Sequence, residues 1–239
     1  MLTEELVALT KEFEEKNSKY IVFEGTDGCG KSTIANAIYE ALPGEKILTK
    51  EPGSPHLEFT QKIRELVLHG AAKGIKPITY AYLFAADTYE HMREIVIPSL
   101  KEDKWVISDR SVMSDFAYRP HHGDHIRQFN FNLFQGLNPK VFLIDALPST
   151  CEERLENRGE PLNEFEKVHV IKKIRLIREA YLEHSMPRLR ASNYCRAYKV
   201  DNNHILQDAI DAVKSVLALH FEELRGLDGF KMAADDYFN

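Results

Sequence analysis

The residues with the clearest chemistry lie in the stretch FEGTDGCGKST, from Phe23 to Thr33. Its segment GTDGCGKS fills the pattern G-x-x-x-x-G-K-[ST], which suits a chain of phosphates. Gly25, Gly28 and Gly30 let the backbone turn tightly, so that the N–H groups of Thr26, Asp27, Cys29 and their neighbours up to Thr33 can point inward at phosphate oxygens. Lys31 can reach the β- and γ-phosphates of ATP, and the Ser32 hydroxyl can hold Mg²⁺. Other residues could complete such a site. Asp109 closes an apolar run, WVIS, as a carboxylate on the Mg²⁺ side, and Arg110 follows it as a fixed cation for a phosphate. Arg154 and Arg158 are four apart, so a helix would bring both guanidinium groups to one face, where an anion between them would relieve their repulsion. Glu51 lies in the stiff loop KEPGSP, as a functional carboxylate or a solvated loop charge. The cluster from His121 to His125 has metal-binding residue types, but it sits in a Pro/Gly loop with nothing to complete a shell, so a solvated loop is expected.

These residues need elements to hold them. Tyr20–Phe23 is a short apolar run of β-formers, and Ser32–Leu42 carries Ile34, Ala35, Ile38, Ala41 and Leu42 on one helical face. Strand, glycine loop and helix N-terminus form an anion site. Further strands are expected at Lys46–Thr49, Trp105–Ser108, Val141–Ile144 and Tyr198–Val200. Helices are expected at Leu2–Lys16, Leu57–Leu68, Ile78–Ile97 (stopped by Pro98), Ile126–Gly136, Asn163–Leu189 and Ile205–Leu224. Phe84 lies on the third of these, at core spacing with Tyr80 and Leu83. The alternation predicts a three-layer α/β/α fold with a parallel sheet of about five strands and helices on both faces. Residues 1–18 read as a helical extension, 19–225 as one domain and 226–239 as an acidic tail.

Composition removes several classes. A chain of 239 residues with 44% hydrophobic and 28% charged residues can bury one large core. A net charge of −6 argues against a nucleic-acid or anionic-membrane partner. Cys29, Cys151 and Cys195 are far apart and form neither a disulfide framework nor a zinc pattern. With no signal-peptide core and no membrane-length apolar run, a cytoplasmic location is expected.

From Tyr20 to Phe221 the chain resembles the thymidylate kinases, a family of P-loop nucleoside monophosphate kinases. FEGTDGCGKST, KEPG (Lys50–Gly53), LFAADTYEH (Leu83–His91), SDRSVMSDFAY (Ser108–Tyr118) and RLENRGEPLNEFE (Arg154–Glu166) carry the resemblance. It implies a P-loop kinase fold with a short arginine-bearing lid at about 150–165, and phosphoryl transfer from ATP with Mg²⁺ to a deoxynucleoside monophosphate, most simply dTMP. It also implies a homodimer and no macromolecular partner beyond that. Residue by residue, Asp27 would contact the sugar 3′-hydroxyl side, Phe84 would stack on the base and Arg110 would hold the acceptor phosphate. Ser114 would lie near the base edge with Asp115 beside it, and Tyr118 under the deoxyribose. Arg154 and Arg158 would close on the transferring group, and Asp201–Asn203, including Asn202, would lie near adenine. Thr88, Ser111 and Asp115 depart from the family pattern and leave the accepted base open.

SDRSVMSDFAY is also similar to a segment of the deoxynucleoside kinases, which would make Glu51 the general base for a nucleoside 5′-hydroxyl. Asp27 and the LFAAD helix favour the monophosphate. A regulatory ATPase with no acceptor would need neither Phe84 nor Arg110.

Overall fold

The computed structural model describes residues 8, 10, 13, 17–70, 75–118, 124–159, 173–192 and 195–231. Five parallel strands form one sheet in the order β2-β3-β1-β4-β5: β1 (Tyr20–Glu24), β2 (Lys46–Lys50), β3 (Trp105–Asp109), β4 (Lys140–Asp145) and β5 (Arg196–Asp201). The expected α/β/α class and strand count are met, and β5 is longer than expected. The helices are α1 (Lys31–Ala41), α2 (Glu58–Gly70), α3 (Pro77–His91), α4 (Val112–Tyr118), α5 (Asp124–Gly136), α6 (Pro148–Glu156), α7 (Ile174–Ala180) and α8 (Leu206–His220).

The sheet is buried on both faces, so its inner strands read as continuous apolar runs. β1 divides its residues by alternation. Ile21 and Phe23 join the core under α1 and α8, while Tyr20 and Val22 join the core under α4, α5 and α7. Phe142 is fully buried at the centre of the first core, stacked on Phe23 and on Tyr198 with ring centroids 5.6 and 5.5 Å away.

Pro98 does not end its helix as expected. Met92–Val96 forms a π-turn, in which the Ile97 N–H reaches back to the Met92 carbonyl, and a last turn Ile97–Lys101 continues past the proline. A π-turn shifts the carbonyls in front of the ring, so the proline can be taken into the helix. The same device follows α7, with a π-turn at Tyr181–Ser185 and Pro187 in the turn Met186–Arg190. Of the expected long helix Asn163–Leu189, the part before residue 173 lies outside the described residues, as do most of Leu2–Lys16, the lid residues after 159, and the tail from 232. Phe13 is nevertheless described and buried in the second core. No helix among the described residues is long and apolar enough to cross a membrane.

Because every strand is parallel, all five carboxyl ends meet at one sheet edge, where open α/β sheets bind ligands. Lys50, Asp109, Glu24, Asp145 and Asp201 are the last residues of their strands there. Phe142→Ala removes the ring between two others. It is expected to lower unfolding free energy by about 3–5 kcal/mol, read from urea denaturation. A loss below about 1 kcal/mol would contradict this packing.

Candidate active site

β1 delivers the chain into the glycine loop, and α1 starts at Lys31 with its N-terminus toward the loop. Gly30 has φ 92°, and a Cβ there would collide with the Asn202 amide, so glycine is required twice over. The Thr26 and Cys29 side chains are buried, Thr26 beside the Cys151 sulfur at 3.4 Å, and the Cys29 N–H donates to the Thr26 carbonyl at 3.4 Å. Asn202 donates to the Cys29 carbonyl at 2.7 Å. Arg154 donates to the carbonyls of Cys29 (3.4 Å) and Asn202 (2.9 Å), which ties α6 to the loop from outside.

Two cavities adjoin at the sheet edge. One follows the phosphate loop and is lined by Gly28, Gly30, Lys31, Ser32 and Thr33 with Asp109, Arg154 and Arg158. The other is lined by Phe84, Thr88, Ser111, Ser114, Asp115 and Tyr118. Four residues line both: Asp27, Glu51, Arg64 and Arg110. Most of the expected site residues are thus gathered in one place, divided between a phosphate side and an aromatic side, while Gly25, Thr26, Cys29 and Asn202 line neither cavity. Of the histidine cluster, only Asp124 and His125 are among the described residues, and neither lines the two cavities. Residues 119–123 lie outside the description, and no group of three metal-ligating side chains occurs among the described residues.

Arg110 is the centre of the junction. It has φ 80°, a conformation uncommon for a non-glycine residue. Its guanidinium donates to the Gly25 carbonyl (3.1 Å), Ser114 Oγ (3.2 Å), the Tyr118 hydroxyl (2.9 Å) and the Asp27 carboxylate. Burial alone would raise the Asp27 carboxyl. The charges of Arg110 and Lys31 and a hydrogen bond from Tyr118 outweigh it and hold the group well below the usual carboxylate range. The Ser114 hydroxyl, expected at a base edge, is engaged with Arg110 and with the buried Glu24.

Arg64 of α2 was not singled out in the sequence. It reads there as one charge of a surface helix, and only the packing of α2 brings it to the junction. It donates to the Pro52 carbonyl at 3.0 Å and lies against Gly53, where any Cβ would strike its chain. Burial, then the charge of Arg110, hold it below its ordinary value. A half-buried guanidinium whose charge is disfavoured by a neighbouring guanidinium is a place for an anion.

Glu51 is buried and fully engaged. His91 Nδ1 lies 2.8 Å from one oxygen, and the Thr88 hydroxyl donates to the other at 2.8 Å. His91 Nε2 contacts Thr49 Oγ1 at 2.7 Å. For the metal, Ser32 Oγ bonds one Asp109 oxygen, while the other, Oδ1, is buried without a partner. A hydroxyl and an orphaned carboxylate oxygen beside a phosphate cavity fit Mg²⁺, which takes one or two protein oxygens and completes its shell from phosphates and water.

A family model described as thymidylate kinase matches residues 23–200. The chain belongs to the thymidylate kinase family. A probable thymidylate kinase of Thermococcus kodakarensis is 35% identical over 199 residues, covering 78% of this chain and 95% of that protein. Thymidylate kinases of Onion yellows phytoplasma (37% over 166 residues, 65% and 79% covered) and Mycoplasma genitalium (32% over 160 residues, 62% and 74% covered) are also similar. A crystal structure of thymidylate kinase from Ehrlichia chaffeensis shares the fold, with a TM-score of 0.59 and 22% identity over 83% of this chain and 97% of that one.

Beside Glu51, the family helix α3 also presents Asp87. It accepts the Gly53 N–H at 2.9 Å, and its second oxygen is buried without a partner. Burial first, and the Glu51 charge second, push its carboxyl up to about 8, against the lesser pull of the Gly53 N–H and Arg64. An unfolded aspartate titrates near ~4, so the folded chain holds the extra proton between about pH 4 and 8. Stability from this group is complete below about pH 4 and is lost as pH rises through about 8. Asp87→Asn removes the titration. The denaturation midpoint of the parent should fall relative to that of the variant between pH 5 and 8.5, and parallel midpoints would contradict a protonated Asp87.

Proposed function

We infer that the chain transfers the γ-phosphoryl of ATP to the phosphate of dTMP, giving dTDP. One observation carries the placement of this reaction: Arg64 and Arg110 stand where the phosphate-loop cavity meets the cavity containing Phe84 and Tyr118. Phosphoryl donor and acceptor would meet at that junction, with the base against Phe84 and the deoxyribose against Tyr118.

The chemistry needs alignment and charge neutralisation more than covalent help. The backbone from Gly25 to Thr33 and the Lys31 ammonium would hold the β- and γ-phosphates. Arg154, from α6, and Arg158, from the turn just past the end of that helix, would approach the transferring group. Arg110, with Arg64, would hold the acceptor phosphate and offset its repulsion from the donor. Ser32 and Asp109 would hold Mg²⁺, which would supply neutralisation of the charge that develops on the phosphates. Asn202 would border the adenine side. Asp27 would keep Arg110 in place on the sugar side, and Ser114 and Asp115 would border the base. The acceptor phosphate is largely an anion at neutral pH, with its second pKa near ~6, and needs no general base. This separates the reaction from phosphorylation of a nucleoside 5′-hydroxyl. Glu51 would be the base there, but both its oxygens are already held by His91 and Thr88. We further propose a cytoplasmic homodimer that acts on small nucleotides and binds neither nucleic acid nor membrane.

The test is ATP consumption with dTMP, a 5-substituted dUMP, dCMP, dGMP and thymidine as separate acceptors. Turnover with dTMP and none with thymidine is expected; turnover with thymidine alone would return Glu51 to the role of base. A preference for another monophosphate would keep the mechanism and assign the difference to Thr88, Ser111 and Asp115. In the same assay Arg110→Ala is expected to lower kcat/KM for dTMP by ~10³, about 4 kcal/mol of transition-state stabilisation. Activity within tenfold of the parent would remove Arg110 from the acceptor site. Chelation of divalent cations should abolish turnover, and excess Mg²⁺ should restore it.

A further inference from the structure

Glu24 is the last residue of β1 and directly precedes the glycine loop, yet no step of the transfer uses it. Its carboxylate is only 1% exposed. One oxygen accepts the backbone N–H of Ser111 at 2.8 Å and the Ser111 hydroxyl at 2.7 Å. The other accepts the Ser114 hydroxyl at 2.7 Å and the Tyr181 hydroxyl at 2.8 Å. Burial holds this carboxyl above its ordinary value, against the opposing pull of the hydroxyl donors and the nearby charge of Arg110. A buried acid held by four donors at the root of the phosphate loop is costly unless it organises something.

We propose that Glu24, acting with Tyr181, is a positioning residue that sets the acceptor-binding Arg110 against the phosphate loop. The proposal rests on the reading of Arg110 as the acceptor-phosphate ligand. Three contacts carry it. First, Arg110 has φ 80°, and such a backbone persists only where its surroundings over-determine it. Ser111, the next residue, is bound to Glu24 by both its N–H and its side chain, while the Arg110 N–H is held by the Phe23 carbonyl at 2.8 Å. Second, the Ser114 and Tyr181 hydroxyls donate their protons to Glu24 and therefore turn lone pairs toward Arg110, whose Nη1 lies 3.2 and 3.4 Å from them. Third, the same nitrogen donates to the carbonyl of Gly25, the residue after Glu24. One carboxylate thus fixes both the backbone and the side-chain direction of Arg110, from a residue covalently joined to the donor-phosphate loop. The distance between donor and acceptor phosphates follows from it. Tyr181 belongs to the π-turn after α7, so the helix on that face of the sheet is bonded into the same hub. Ser111 belongs here as well: its hydroxyl supplies one of the four donors.

The test uses the full chain with Glu24→Gln, Tyr181→Phe and the double variant. Glutamine keeps the size of Glu24 but exchanges one acceptor oxygen for an NH₂ group. Phenylalanine removes one hydroxyl from both Glu24 and Arg110. Steady-state constants are measured separately for dTMP and ATP, with dTMP affinity by calorimetry and Tm by scanning fluorimetry. In Glu24→Gln, kcat/KM for dTMP is expected to fall roughly tenfold to hundredfold, as for a small misplacement of a reacting group. Tyr181→Phe should lose less. KM for ATP should stay within twofold of the parent in both, and the double variant should be no worse than Glu24→Gln, because both act through Arg110. Values for dTMP within twofold of the parent in both single variants would overturn the proposal. So would equal losses for ATP and dTMP that track a lowered Tm in Tyr181→Phe, which is what a purely structural role predicts. Arg110→Ala serves as the reference. Unchanged dTMP affinity in that variant would overturn the acceptor reading itself, and this proposal with it, whereas loss there with intact Glu24 variants would overturn this proposal alone.

Discussion

The half-buried pairing of Arg110 with Asp27 is the interaction on which the site depends. A guanidinium taken out of water is costly, and every partner it has must stay in place. Here the partners come from separate pieces of chain: Gly25 and Asp27 from the phosphate loop, Ser114 and Tyr118 from α4, and Tyr181 from the π-turn after α7. Withdrawing any of them leaves a charge or a donor uncompensated inside the protein. The cation proposed for the acceptor is therefore tied directly to the loop proposed for the donor. Rigidity is what phosphoryl transfer asks of a protein, since the reacting groups are charged alike and must be held in line.

That arrangement brings like charges together as well. Lys31, Lys50, Arg64, Arg110, Arg154 and Arg158 line one cavity, and Asp27, Glu51 and Asp109 are spread among them. The carboxylates are not interchangeable. Asp27 is held ionised by two cations, Glu51 is bound by His91 and Thr88, and Asp87 behind it is driven toward its protonated form. Environment, rather than residue type, assigns each its state. Thr88 shows how a departure from the family pattern is absorbed: its hydroxyl becomes a donor to Glu51.

Much of the architecture was legible in the sequence because its signals are local. A glycine loop between an apolar strand and an amphipathic helix declares itself over some twenty residues. Apolar runs buried on both faces mark parallel strands. The placement of Phe84, Asp109, Arg110 and Arg154 around one site followed from reading each at a strand end or on a helix face, whereas Arg158, expected on the same helix face as Arg154, lines the cavity from the turn after the helix ends at Glu156. The helix past Pro98 was not legible, since a π-turn arises from packing along the whole helix and leaves no residue pattern of its own. Arg64 was missed because it stands among charges on a helix whose buried face gives no hint of which cation turns inward.

By itself, the sequence determined the fold class, the phosphate loop and the family, since these depend on residue types at short fixed spacings. Only the tertiary structure decided which side chains share a partner. Glu24 reaches Ser111, Ser114 and Tyr181 across separations of 87 to 157 residues, and Arg110 reaches Asp27 across 83. Hydrogen bonds act over about 3 Å, and parallel crossovers bring distant stretches to one sheet edge in a register that no local pattern encodes.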